Sequence, residues 1–190
     1  ASARAVVKEE SSTVCETHCA ERALSVVTDQ QPVDDTALFD QVLHLNWKQT
    51  YFDSGTGIWT NHWILDGQHA TVENSEQGML FCAGPEEVNH THHAVLWTKA
   101  IFKGAVKVEY DYTRRDRINE WVNILYIQAS GKGGEFSSDI MEWADYRRDP
   151  WMKNYFETMN LLHISYAAYG SDDLGVDEDY VRCRRYPKAE

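Results

Sequence analysis

The sequence predicts an all-β protein, an antiparallel β-sandwich of jelly-roll type carrying a short helical insert. Three observations predict it. From Gln41 onward the chain breaks into many short runs rich in β-branched and aromatic residues. Turn signals separate the runs, among them Asp53-Ser54-Gly55-Thr56-Gly57, Asp66-Gly67, Gly84-Pro85 and Gly131-Lys132-Gly133-Gly134. Residues 138–160 form the exception: the stretch is too long for a hairpin loop and carries Asp149-Pro150 as a helix start. It is placed as one or two short helices lying over the sheet.

In chain order, residues 1–38 read as an appendage. Thr13-Val14-Cys15-Glu16 has the form of a capping box, so a short helix is expected from there to Val27, between polar segments. Residues 39–190 are read as the jelly-roll domain. Its expected strands are 42–47, 58–65, 70–73, 79–82, 93–97, 106–112, 121–129, 161–169 and 180–184. Between the last two lies an acidic stretch, Ser171-Asp172-Asp173 to Asp177-Glu178-Asp179, whose oxygens suit calcium. It lacks the spacing of an EF-hand, so it is read as a solvated loop, with a structural calcium as the alternative.

Composition removes several functions. A formal net charge of −12 gives no basic excess to displace counterions from nucleic acid or to adsorb on anionic membranes. No run of apolar residues is long enough to span a bilayer. The cysteines, Cys15, Cys19, Cys82 and Cys183, match no zinc framework, and their pairing is open among three combinations. Asn89-His90-Thr91 fits an N-glycosylation acceptor. Together these favour a secreted or periplasmic address. Seven Trp and ten Tyr are a heavy load for 190 residues, and such rings serve either as core or as flat platforms for sugars.

The chemistry rests on strand faces. In Asn160-Leu161-Leu162-His163-Ile164-Ser165-Tyr166, alternation puts His163 and Ser165 on one face. Leu162 and Ile164 point the other way and are expected to make the core contact, leaving His163 on a cleft floor. His93 and Trp97 share a second strand face, and Tyr126 and Gln128 a third. The His90, His92 and His93 cluster invites a metal, yet on a strand His92 and His93 would face apart, so no metal is assigned. Glu109 and Asp111 alternate like the acidic strand of jelly-roll glucanases, but the third carboxylate is replaced by Thr113. Arginines group at Arg114, Arg115 and Arg117, at Arg147 and Arg148, and at Arg182, Arg184 and Arg185, and guanidinium grips carboxylate in a two-pronged geometry.

His, Tyr, Gln and Arg are what β-elimination on a uronic acid requires: a neutraliser for the carboxylate, a base for the C5 proton and an acid for the leaving oxygen. A polysaccharide lyase on a uronate glycan is therefore the first reading. A non-catalytic carbohydrate-binding module is the alternative, and a glycoside hydrolase using Glu109, Asp111 or Glu142 the third.

A resemblance points the same way. The chain resembles the YesU-like family of bacterial jelly-roll proteins, of the concanavalin A-like lectin/glucanase class. The resemblance is carried by His93-Ala94-Val95-Leu96-Trp97 with Phe102-Lys103-Gly104, by residues 106–112 and 123–131, by residues 160–166, and by Arg182-Cys183-Arg184-Arg185. It covers roughly half the chain, from about Cys82 to Arg185. It implies a carbohydrate-active jelly roll acting on uronate-containing polysaccharide, and it carries over His93, Trp97, Asn160, His163, Ser165, Tyr166 and Arg185. Family members continue past the point matching Arg185 with further strands, so the sandwich is expected to be incomplete here, with a second chain as a candidate to complete it. The expected catalytic set is His163, Tyr126, His93 and Arg185. Trp97, Gln128, Asn160, Ser165, Tyr166, Arg182 and Trp143 are expected to bind an anionic oligo- or polysaccharide, without a cofactor.

Overall fold

The computed structural model describes residues 3–7, 35–118, 120–170 and 179–187. They form ten strands in small sheets, with few helices. The chain is thus mostly β, and every strand pairing with a defined register is antiparallel. The helix expected within 13–27, the Cys15 and Cys19 thiols and the acidic stretch at 171–178 lie outside the described residues. Cys82 and Cys183 are free and exposed.

The described residues divide into two compact units. One draws on Ala3–Phe52 and Ala100–Tyr110. In it β1 (Ala3–Val7) lies between β2 (Lys48–Asp53) and β7 (Val106–Tyr110). Residues 3–7, which the sequence assigns to an appendage, are thus a sheet strand in register with β7. Ahead of β2 comes α1 (Asp35–Leu43), where the sequence predicts a strand at 42–47. Leu38, Phe39, Val42 and Leu43 sit at helical spacing, and Trp47 Nε1 donates to the Val42 carbonyl at 2.9 Å, folding the next residues back as a turn.

The second unit draws on Asp53–Lys99 and Asp111–Glu190 and holds the core. Two two-stranded sheets come first. One pairs β3 (Trp63–Asp66) with β6 (Val95–Thr98), the other β4 (Thr71–Ser75) with β5 (Gly78–Cys82). The run expected as one strand over 58–65 is interrupted by a 3-10 turn at Trp59–Asn61, whose first amide donates to Asn74 Oδ1 at 2.8 Å. The run expected over 93–97 starts late for a similar reason. Residues His90–His92 form a 3-10 turn capped by Asn89, so His93 lies outside β6 and shares no strand face with Trp97. Asp111 lies beyond the end of β7, and Glu109 is ion-paired with Lys107 at 3.1 Å.

The third sheet runs in the order β10 (Tyr180–Tyr186), β9 (Met159–Ala168), β8 (Asn123–Gly131). Its central strand has a period-two burial pattern: Leu161, His163 and Ser165 are buried, while Leu162 is exposed and Ile164 half-buried. This reverses the expected orientation. A bulge breaks β8, where Ile127 pairs with Leu162 but the next pair is Ser130 with Asn160. Gln128 sits in it with φ +58°, exposed, and so does not share a face with Tyr126. The loop leaving β8 folds so closely over Gly131 that a Cβ there would lie 2.0 Å from the Ser137 carbonyl oxygen.

The helical insert is present. A 3-10 segment covers Ile140–Arg147, with Asp139 Oδ1 accepting from Met141 N, and α2 (Met152–Thr158) follows. The helix begins after Trp151, just past the expected Asp149-Pro150 start, and passes without a loop into β9. Both pieces pack through Ile140, Trp143, Tyr155 and partly buried Phe156 against Trp97, Met159, Leu161 and Tyr186.

One polar group joins these elements. Asp66 Oδ2, at the end of β3, accepts from Trp97 Nε1 at 2.7 Å, Arg147 Nε at 2.7 Å and Tyr155 OH at 3.1 Å. Arg147 is fully buried, donates through Nη1 to the Ile140 carbonyl, and lies 4.5 Å from the centre of the Trp143 ring. Burial pushes the Asp66 carboxyl above its ordinary pKa despite the opposing pull of Arg147 and the three donors. Removing one partner leaves the other charge buried and alone. Asp66→Ala is therefore expected to lose about 3–5 kcal/mol in urea unfolding, and an apolar double replacement, Asp66→Leu with Arg147→Met, to recover most of it.

Candidate functional site

The inner face of the β8–β9–β10 sheet gathers most of the polar chemistry. Register fixes it, because directly paired residues of antiparallel strands share a face. Tyr126 of β8, His163 of β9 and Arg184 of β10 stand in one row. Ile124, Ser165 and Arg182 form the next row. Of the expected site residues, Tyr126, His163, Ser165 and Arg182 are thus brought together. Arg185 is not: it pairs with Leu162 on the opposite face, so it cannot neutralise a carboxylate held at His163. Arg184 has the position foreseen for it, and strict alternation from Arg182 already singles it out.

The row is buried at its centre. His163 is 3% exposed, with its ring 5.5 Å from Phe156, 5.7 Å from Tyr126 and 5.9 Å from Tyr186. Its Nε2 lies 3.3 Å from Ser165 Oγ, and its buried Nδ1 has no hydrogen-bond partner. Burial pulls the imidazole down to about 4, helped by the positive charges of Arg184 and then Arg182. At neutral pH the ring is uncharged. Burial, with a smaller push from Tyr186, also holds the Tyr126 phenol above its ordinary range, so it keeps its proton. Arg182 and Arg184 are half-buried at the open side of this face. Among the described residues neither has a carboxylate partner; the Arg182 guanidinium lies 4.3 Å from the centre of the Tyr180 ring.

The other expected residues sit elsewhere. Trp97 stacks on Tyr126 with 5.7 Å between centroids and 13° between planes, but from the core side, with its indole N–H on Asp66. Trp143 is buried between Arg147 and Phe136. Neither indole offers a platform to a sugar. Asn160 is exposed on the outer face and donates to the Gly131 carbonyl, and Tyr166 meets Tyr112 edge-on at 5.1 Å. His93 belongs to a separate group. It lies 5.4 Å from His90 and is held below the ordinary His range by burial and then by His90. It is therefore no partner for His163 in the described geometry. Residues missed from sequence are Arg184, Phe156 and Tyr186; the last two signal themselves only as aromatics, which the chain has throughout.

No group of three His, Cys, Asp or Glu side chains among the described residues is arranged to hold a metal ion. No described helix is long and apolar enough to cross a membrane. Comparisons with protein-family models, with curated proteins and with solved structures find no match.

Burial of His163 changes what its replacement does. Removing the ring opens a cavity among three aromatic neighbours, so His163→Ala is expected to destabilise by about 2–4 kcal/mol instead of leaving the fold untouched. Its pKa is depressed in the folded chain, so the unfolded chain takes up the proton first. The stability contribution is present above the unfolded value near 6.5 and is lost as pH falls toward about 4. Unfolding free energy should drop by roughly 2–3 kcal/mol across that window from this group, and His163→Phe should flatten the drop. Chemical denaturation of both proteins at stepped pH reads the difference directly.

Proposed function

We propose that this chain is a carbohydrate-active jelly roll, similar to the YesU-like proteins, that binds an anionic, uronate-containing glycan through Arg182 and Arg184. One observation carries the reading. Two half-buried guanidinium groups share one sheet face beside a neutral, buried His–Ser pair, with no carboxylate partner among the described residues. Residues two apart on a strand are about 7 Å apart, so the pair suits two anionic groups along one ligand rather than a single compact ion. Guanidinium meets a sugar carboxylate by two parallel hydrogen bonds, and the orphan His163 Nδ1 adds a donor or acceptor behind them. The chain carries a formal charge of −12, so long-range attraction does not help and local pairing must supply the affinity. A secreted or periplasmic setting, where such polymers occur, accords with this role.

Elimination is the second reading, favoured by the row itself: a neutral imidazole lies between a protonated phenol and a guanidinium. The base would take the C5 proton, Arg184 would neutralise the carboxylate and Tyr126 would protonate the leaving oxygen. Against it stands access, since a base 3% exposed reaches substrate only if Phe156 or Tyr186 moves aside. Binding therefore ranks first, and hydrolysis third, because among the described residues no carboxylate is paired with the arginines of this face.

Titration calorimetry against a panel of uronate polysaccharides, with absorbance followed for an unsaturated uronate product, separates the readings. Binding without an absorbance rise is expected. Arg184→Gln should weaken it about tenfold or more, a loss of at least about 1.4 kcal/mol. A rise would make elimination the function, and new reducing ends without a rise would make it hydrolysis. Unchanged affinity in the Arg182→Gln, Arg184→Gln double variant would remove this face from any role.

A further inference from the structure

We infer that Asn89 is an N-linked glycan attachment site, placed on a preformed turn. Asn89-His90-Thr91 supplies the acceptor triplet, and no other Asn in the chain has Ser or Thr two residues on. The turn fits the modification in three respects.

First, the side chain already has the local geometry that couples amide and hydroxyl. Asn89 Oδ1 accepts from Thr91 Oγ1 at 2.8 Å and from Thr91 N at 3.1 Å. Attachment occurs at the other atom, Nδ2, so both bonds survive it. Second, Nδ2 has two hydrogens and uses one, donating to Glu86 Oε2 at 2.9 Å. The hydrogen lost on attachment can be the unused one, and Glu86 is an exposed carboxylate that water serves equally well. Third, there is room. Glu86, Glu87, Val88, Asn89, His90 and Thr91 line an open hollow, and Val88 beside the attachment point is 85% exposed, an apolar surface that a first sugar would cover.

The turn itself is anchored from behind, so a sugar on its front need not disturb it. Gly84 N donates to the His92 carbonyl at 2.8 Å, Glu86 N to His92 Nδ1 at 3.0 Å, and His92 N to the Asn89 carbonyl at 2.9 Å. The buried His92 ring stacks on His69 at 4.1 Å.

The co-reactant is a lipid-linked oligosaccharide diphosphate delivered by a transferase. The bond from the anomeric carbon to the diphosphate oxygen breaks, and a bond from that carbon to Asn89 Nδ2 forms. The diphosphate leaves with the electron pair, and one amide proton is released. No oxidant or reductant is involved.

The test is expression of the full chain through a eukaryotic secretory pathway, with electrophoretic mobility read before and after peptide-N-glycosidase. One glycan's shift, removed by the glycosidase, is expected in the wild type and in Thr91→Ser, and complete loss of the shift in Asn89→Gln and Thr91→Ala. Retention of the hydroxyl in Thr91→Ser separates loss of the acceptor from loss of folding. An unshifted wild type or Thr91→Ser chain, or a shift that persists in Asn89→Gln, overturns the assignment.

Discussion

A single carboxylate oxygen organises the larger unit. Asp66 Oδ2 receives the indole of β6, the guanidinium that closes the 3-10 segment and the phenol of α2, so β3, β6 and both pieces of the helical insert must arrive together. Such a buried pair contributes less to net stability than to uniqueness, because apolar side chains of similar volume would fill the space as well. What they would not do is fix direction. Arg147 reads the Ile140 carbonyl as well as Asp66, which sets both the angle and the depth of the insert. With the insert set, α2 delivers Phe156 to the sheet face, and Phe156 with Tyr186 confines His163. The environment of the candidate site is thus inherited from an ion pair that does not belong to it.

Much of the β texture was legible from alternation and turn residues, and so was the helical insert, because these are local signals. Which face of a strand is buried is not local. In β9 apolar residues occupy both faces: Leu161 accompanies His163, while Leu162 and Ile164 lie opposite. Polarity alone then favours solvent for His163. The decision is made by Tyr126, Phe156 and Tyr186, which come from three other elements and bury the polar face instead. The arginines show the reverse case. Alternation groups Arg184 with Arg182 and sets Arg185 apart, but only the register with β9 shows that the Arg184 face is the one His163 occupies.

Two further departures have backbone causes. Gln128 adopts a left-handed conformation in a bulge, a position that glycine or asparagine would have announced. His93 leaves the expected strand because Asn89 caps a turn just ahead of it, which turns three clustered histidines away from strand geometry. The tryptophans misled for a different reason. A count of rings says nothing about which side is wet, and Trp97 and Trp143 are both buried with their N–H groups bonded internally. Aromatic load is therefore weak evidence for sugar binding in a chain that also needs those rings for its core.

The crowding at Gly131 has a bearing on how this molecule can change over time. Ser137 and Phe136 carbonyl oxygens occupy the volume where any other residue would place its first carbon. The strand end and the loop after it are consequently bound into one heritable block: a replacement at 131 succeeds only together with a redrawn loop, and single-step variation there is closed. Gly133 and Gly134, a few residues on, have open space around them and are restricted by backbone conformation alone. Diversity among descendants of this chain should accumulate around that loop's tip, while its root stays as it is.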